Sequence, residues 1–276
     1  MFLERTKITL PAIQKKMLKS AWQSESVDSV TLEKMSYLSD GLKVKGYLAY
    51  PKNTGKKYPC IIFCRGGYAD AGALDDFYAQ GILGQIASWG YVVFETQYRG
   101  NDGGEGKDEF GGNDVNDVLN LIALADELEF ANKEVWGIEG WSRGGMMTYL
   151  TLTKNHNFKA AISSGGISNL TCSDNENKFL EKLLKHYGSK LNEELCYKRS
   201  IINFTEKFSK TTPLLILHGL NDTRVLPQQS LDLSYKLIKQ NIEHRLILLE
   251  NGDHFLRSHK KEVDEFRKNW FNKYLK

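Results

Sequence analysis

Cysteine is scarce in this chain. Its 276 residues include four, Cys60, Cys64, Cys172 and Cys196, and no two of them stand at a metal-ligand spacing. Cys60 and Cys64 fall on one expected strand, which cannot easily bridge to itself. A Cys172–Cys196 bridge is the pairing the positions leave open. Reduced thiols in a cytoplasmic protein are the default for such a pattern. Long apolar runs are missing too, and no stretch approaches the ~18 residues of a membrane span. The opening residues Met1 to Lys7 have no apolar core and carry Glu4 early, unlike a secretory leader. Charge of one sign is not in excess. With 37 basic and 34 acidic residues the net charge is +3, which argues against nucleic acid or an acidic membrane surface as partner. The pairs and triplets of Lys and His at 15–16 and 259–261 read as solvated helix faces. There is no internal repeat and no low-complexity tract.

What is present is an apolar fraction of 41%, enough for a sizeable core, in a length that suits one large α/β domain. Apolar strand-like runs alternate with amphipathic segments. Cys60 to Cys64, Tyr91 to Phe94, Val135 to Glu139, Lys159 to Ser163, Leu214 to Leu217 and Arg245 to Leu249 read as strands. Between them, Gly81 to Trp89, Asp114 to Leu128, Gln228 to Lys239 and His259 to Tyr274 read as helices, with Val115, Val118, Leu119 and Ile122 at helical spacing. Such alternation predicts a mostly parallel sheet covered on both faces. Val27 to Leu38 and Leu42 to Tyr50, joined at Asp40-Gly41, predict a hairpin that supplies antiparallel edge strands. Pro11 to Trp22 predicts a leading helix. Residues 1–35 are therefore read as a helix and lead-in, and 36–276 as the domain proper. Alternation pauses at about 166–210, where Leu180, Leu183, Leu184 and Tyr187 share a face and Gly188 suits a C-cap. That segment is expected to form a helical cap over the carboxyl edge of the sheet, where sites of such folds lie.

The stretch Val135-Trp136-Gly137-Ile138-Glu139-Gly140-Trp141-Ser142-Arg143-Gly144-Gly145 is the chemical centre. An apolar strand runs into G-x-S-x-G and then into a helix, the context of a nucleophile elbow. Larger side chains at Gly140 and Gly144 would collide in the sharp turn that lifts Ser142. The helix N-terminus that follows favours developing negative charge. A serine nucleophile needs a base, and the base needs an orienting acid, in the order Ser, acid, His along this type of chain. Two strand-loop units remain downstream of the cap. The first ends in His218-Gly219-Leu220-Asn221-Asp222 and the second in Glu250-Asn251-Gly252-Asp253-His254. Asp222 and His254 are the expected acid and base. His218 precedes the acid and reads as structural; Asp253 reads as a cap or solvated neighbour. His259 is a poor base, and His156, His186 and His244 read as solvent-facing. Oxyanion donors are expected from the backbone N–H of Arg143 and of Gly66 or Gly67. Arg65, Tyr68 and Trp141 are candidate substrate contacts.

Four blocks resemble the catalytic domain of the prolyl oligopeptidase family of serine peptidases. Gln97-Tyr98-Arg99-Gly100-Asn101 is similar to its Y-R-G-S loop, and Gly140 to Gly145 to its G-W-S-x-G-G elbow. Arg199-Ser200-Ile201 with Thr212 to Asp222 resembles R-S-P followed by P-L-L-L-I-H-G-x-x-D. Asp253-His254 resembles the histidine loop. The resemblance runs from about residue 35 to the C-terminus. It implies an α/β-hydrolase fold, the triad Ser142, Asp222 and His254, acyl-enzyme chemistry on short or acylaminoacyl peptides, and no metal or cofactor. A carboxylesterase acting on small esters is the alternative, and a non-catalytic binding protein on the same fold a third reading. Family members with strict size selection carry a β-propeller ahead of this domain. Only about 35 residues precede it here, so the expected site is open, and a cap or a second subunit is left to gate it. A homo-oligomer is compatible with the sequence.

Two departures stand out. Arg65 occupies the place of the family's usual His-Gly-Gly histidine or of a tyrosine that helps bind the oxyanion. Arg143 replaces the commoner Tyr or Gln after the nucleophile. Either arginine could bind a substrate carboxylate. The competing expectation is that they pair with acids of the 102–114 loop, such as Glu105, Asp108 or Asp114. Arg99 is expected to brace its own loop. Activity should fall on acidification, as the base is protonated.

Overall fold

The computed structural model describes residues 1–21, 26–170, 178–187 and 192–276. Among the described residues, nine strands form one sheet: β1 (Phe2–Lys7), β2 (Val30–Ser39), β3 (Leu42–Pro51), β4 (Tyr58–Cys64), β5 (Val92–Thr96), β6 (Ala131–Trp141), β7 (Phe158–Ser164), β8 (Leu214–Gly219) and β9 (His244–Leu249). Their order is β1-β2-β3-β5-β4-β6-β7-β8-β9. The described helices are α1 (Ala12–Ala21), α2 (Ser26–Ser29), α3 (Asp76–Ser88), α4 (Val115–Leu119), α5 (Arg143–Thr151), α6 (Lys178–Tyr187), α7 (Glu193–Arg199), α8 (Gln228–Lys239) and α9 (Lys260–Leu275). None of them is long and apolar enough to cross a membrane.

From β5 through β9 the neighbours run parallel, as the alternating sequence implies. This is the α/β-hydrolase architecture. Both sheet faces are covered, so the parallel strands read as unbroken apolar runs. Ile61, Phe63, Val93 and Ile162 pack under α3 and α9 through Leu83, Ile86, Val263 and Phe271. Ile62, Cys64, Phe94 and Ile138 pack under α4, α5 and α8 through Val118, Met146, Met147 and Leu233. Each such side chain contributes roughly 1.5–3 kcal/mol by leaving water. The close fit of α9 depends on Gly137, since a Cβ there would press on Phe271 and Leu275. That fit brings Arg267 of α9 to Glu139 of β6, at 2.7 and 2.9 Å.

Several elements differ from the sequence expectation. The β2–β3 hairpin does not form the edge, because β1 pairs antiparallel with β2. The first residues are thus woven into the same sheet, and β2 runs across position 35. The strand Phe-Leu-Glu-Arg-Thr-Lys is exposed along most of its length, so no apolar alternation marks it. The helix expected over 114–128 is α only to Leu119 and continues as a 3-10 turn, Ile122–Glu127. Around the break, Asp117 and Asn120 bond Ser39 and Asp40 of the hairpin and the Arg99 N–H of the loop after β5. In the cap region Leu183 and Tyr187 are buried. The side chains of Leu180 and Leu184, and Trp22, Cys172 and Gly188, lie outside the described residues.

Strands β4 to β9 all point their carboxyl ends to one edge of the sheet. The residues chosen as candidates follow those ends: Arg65 to Tyr68 after β4, Ser142 after β6, Asp222 after β8 and His254 after β9.

Candidate active site

Ser142 stands between β6 and α5 with φ 58° and ψ −120°. A non-glycine residue with positive φ is strained and needs its surroundings to hold it. Here the surroundings are backbone. The Ser142 N–H donates to the Ser164 carbonyl at 2.9 Å, and the Ser142 carbonyl accepts from Met146 N–H at 3.2 Å. A Cβ on Gly140 would collide with the Gly144 carbonyl, and one on Gly144 with the Cys64 carbonyl. The elbow therefore closes only with glycine at both places.

His254 and Asp222 meet on the same side. His254 Nδ1 lies 2.7 Å from Asp222 Oδ2. The other oxygen, Oδ1, accepts from the N–H groups of Arg224 and Val225 at 2.8 and 3.0 Å. Burial alone would raise the Asp222 pKa. Hydrogen bonds from His218 and His254 outweigh it and hold the carboxyl well below the usual range. An ionised acceptor requires the proton on Nδ1, which leaves Nε2 of His254 as an acceptor. His218 is fully buried between Ser230 Oγ at 2.6 Å and the Val225 carbonyl at 2.8 Å. It braces the acid from behind, at 3.3 Å from Asp222 Oδ2.

Two further contacts draw these loops to the elbow. Trp141 Nε1 donates to the His254 carbonyl at 2.9 Å. Gly165, just past the Ser164 that accepts Ser142 N–H, lies against the Asp222–His254 pair. A Cβ there would stand 3.3 Å from Asp222 Oδ2 and 3.6 Å from His254 Nδ1. Gly165 carried no motif signal; only its place at the end of β7 reveals its role.

The loop after β4 also reaches the elbow. A Cβ on Gly66 would stand 3.0 Å from the Trp141 carbonyl and 3.4 Å from Ser142 Cβ. Gly67 has φ +73°, a conformation glycine adopts without strain. Arg143, one residue after Ser142, opens α5.

The two arginines sit differently from a substrate-binding role. Arg143 is fully buried. It forks onto Asp108 at 2.6 and 2.8 Å and reaches Asp114 at 2.7 Å. Glu105 is not among its partners; it accepts from Lys43 N–H. Burial would lift the Asp108 pKa, but the Arg143 charge overrides it and holds the group well below the usual range. Arg65 is fully buried as well. Its guanidinium donates to the carbonyls of Gln97, Gly66 and Ala69. The expectation that Arg65 meets substrate is corrected by this burial: its donors are spent beneath the loop. Trp141 is half-buried and ties the elbow to the histidine loop through its N–H. Tyr68 is half-buried and its ring meets that of His186 of α6 at a tilt, with centroids 5.0 Å apart.

Other expectations fare unevenly. Asp253 caps its own turn, accepting from Phe255 and Arg257 N–H at 3.2 Å each. Arg99 bonds Asp117 and Asp40 and so braces its loop. His156 and His244 are half-buried rather than solvent-facing, each held to a neighbouring carbonyl. Phe255, unflagged by any pattern, is exposed beside His254 with ring centroids 5.4 Å apart. The guanidiniums of Arg224 and Arg257 lie over its ring at 4.8 and 4.6 Å. Among the described residues no group of three or more His, Cys, Asp or Glu is arranged to hold a metal ion.

Residues 81–276 match the profile of the prolyl oligopeptidase family. The uncharacterized peptidase YtmA of Bacillus subtilis is 34% identical over 213 residues, covering 75% of this chain and 80% of that one. Human dipeptidyl peptidase 8 is 29% identical over 240 residues, covering 78% of this chain but 26% of the relative. An acylaminoacyl peptidase solved with Z-Gly-Gly-Phe-chloromethyl ketone superposes with a TM-score of 0.74 at 28% identity, over 90% of this chain and 42% of that one. The chain thus spans most of the first relative and less than half of the other two.

Proposed function

The chain belongs to the prolyl oligopeptidase family, and we propose that it is a serine peptidase of short peptides, acylated on Ser142. The observation that carries this reading is the strained Ser142 backbone beside a 2.7 Å Asp222–His254 pair. Strain of this kind costs of order 1–3 kcal/mol and clusters at active sites.

In the first step the Ser142 hydroxyl attacks the scissile carbonyl, and His254 Nε2 takes its proton. The carbonyl oxygen becomes an anion that accepts hydrogen bonds from the N–H groups of Arg143 and of Gly66 or Gly67. Removing one such donor costs about 10²–10³ in rate. His254 then protonates the leaving amine, and the C–N bond breaks. Water attacks the acyl-enzyme by the same route, and the released acid restores Ser142. Asp222 holds the imidazole in the required tautomer and stabilises its cation.

The substrate class rests on kinship with peptidases, one of which was solved with a peptidyl ketone. It is tested by turnover of matched short peptidyl amides and esters sharing one acyl group, by wild type and Ser142→Ala. Amide turnover that vanishes in the variant is the expected result. Ester turnover without amide turnover would make the protein a carboxylesterase instead.

A further inference from the structure

Arg65 poses a question that its burial does not answer. A guanidinium carries five donors and a permanent charge, and such a group is costly to bury without a partner ion. Arg143 has two carboxylates. Arg65, among the described residues, is held by carbonyl oxygens alone: Gln97 at 2.6 and 3.2 Å, Gly66 at 3.1 Å and Ala69 at 3.2 Å. Its charge lies 5.0 Å over the Tyr98 ring, whose other neighbour is Arg143 at 4.4 Å. The Tyr98 hydroxyl in turn donates to the Arg65 carbonyl at 3.0 Å.

The Gly66 carbonyl matters most. It belongs to the same peptide unit as the Gly67 N–H. A cation on the oxygen of a peptide draws electron density toward that oxygen and makes its N–H a stronger donor, as in any polarised hydrogen-bond chain. The loop is shaped for this contact. A Cβ on Gly72 would collide with the Gly66 carbonyl and stand 2.6 Å from Arg65 Nη1, so glycine is required where the loop crosses over the bond. Glu95, an acid whose charge would act on Arg65, is kept protonated up to about pH 8 by burial. Asp108 is the other acid that acts on Arg65, and it is paired with Arg143, so the guanidinium's field is only partly offset at neutral pH.

We propose that Arg65 is a positioning and polarising residue of the oxyanion site, acting through the Gly66–Gly67 peptide rather than by touching substrate. This rests on Ser142 forming a tetrahedral adduct, as in the function proposed above. The positive charge works from behind the backbone. It raises the acidity of the adduct hydroxyl, so the oxyanion persists to lower pH.

A peptidyl trifluoromethyl ketone labelled with ¹³C at its carbonyl measures this directly, since the adduct shift reports hemiketal ionisation. Wild type, Ser142→Ala, Arg65→Lys and Arg65→Gln are titrated, with kcat and KM on a peptidyl amide. In Arg65→Gln the hemiketal pKa should rise by about one unit, and kcat should fall about tenfold or more with KM little changed. Arg65→Lys, which keeps the charge, should stay nearer wild type. A buried ammonium titrates where guanidinium does not, so its kcat should show an added alkaline loss below pH ~10. An unchanged hemiketal pKa in Arg65→Gln overturns the inference. Should that variant not fold, an Arg65→Lys profile identical to wild type overturns it. No adduct in wild type would instead refute the Ser142 reading.

Discussion

Replacing Glu95 by glutamine tests the electrostatics behind this site. Glu95 lies in a row of paired positions that crosses the sheet, Lys34, Tyr47, Glu95, Phe63, Glu139 and Ile162. Glu139 in that row has Arg267. Glu95 is fully buried, and among the described residues no hydrogen-bond partner of standard geometry reaches either of its oxygens. Burial raises its pKa from 4.5 to about 8; the Arg65 and Lys34 charges and the Tyr47 backbone oppose this, and Asp102 adds to it. The folded protein therefore holds a proton that the unfolded chain releases near pH 4.5. Stability from this group is fully present below that pH. It is lost as pH rises to about 8, and changes no further above. At about 1.4 kcal/mol per pH unit, the ceiling is roughly 5 kcal/mol, a large share of the ~5–15 kcal/mol of a typical domain. Glutamine has no proton to release. Urea unfolding of wild type and Glu95→Gln at pH 5, 7 and 9 should show the variant gaining on wild type by a few kcal/mol between the first and last pH. Other titrating groups are common to both proteins and cancel in the difference. Stability curves that stay parallel across this range would refute the assignment of a protonated, buried Glu95.

Asp222→Asn should lower kcat about 10⁴-fold with little change in KM, because an amide supports the wrong imidazole tautomer; steady-state kinetics on a peptidyl amide check this. Arg143→Met leaves Asp108 and Asp114 buried without their cation and should cost about 3–5 kcal/mol in chemical denaturation. The same variant, if folded, should keep the wild-type preference among acidic, neutral and basic substrates. A lost preference for acidic substrates would show that Arg143 binds a substrate carboxylate after all. Phe271→Ala should destabilise by about 3–5 kcal/mol through the cavity left between α9 and Gly137, measured by thermal melting.

The elbow was legible because its glycines are steric requirements. The collisions at Gly140 and Gly144 follow from backbone geometry and leave the same mark in any chain that makes this turn. Asp222 and His254 were legible through order, as the loops after the last two strands. The parallel sheet announced itself through apolar runs such as Cys60-Ile61-Ile62-Phe63-Cys64. What stayed hidden depended on partners far away in the chain. Nothing local marks β1, whose exposed edge needs no alternation. Glu95 reads as the polar end of a strand until the packing of Tyr47 and Phe63 buries it. Arg65 invites a substrate-binding role until the carbonyls of Gln97 and Ala69 are found around it. Gly165 gains its meaning only beside His254. Charge and glycine positions are set by tertiary neighbours, and residue type alone does not disclose which neighbours those are.

Ser142 is expected to be acylated during turnover. Rapid quenching after mixing with a short peptidyl ester, followed by intact-mass measurement and peptide mapping, tests it. The expected result is a mass gain equal to the acyl group, confined to the peptide that carries Ser142 and absent in Ser142→Ala. Turnover of that ester with no adduct on Ser142, or turnover undiminished in Ser142→Ala, would contradict it.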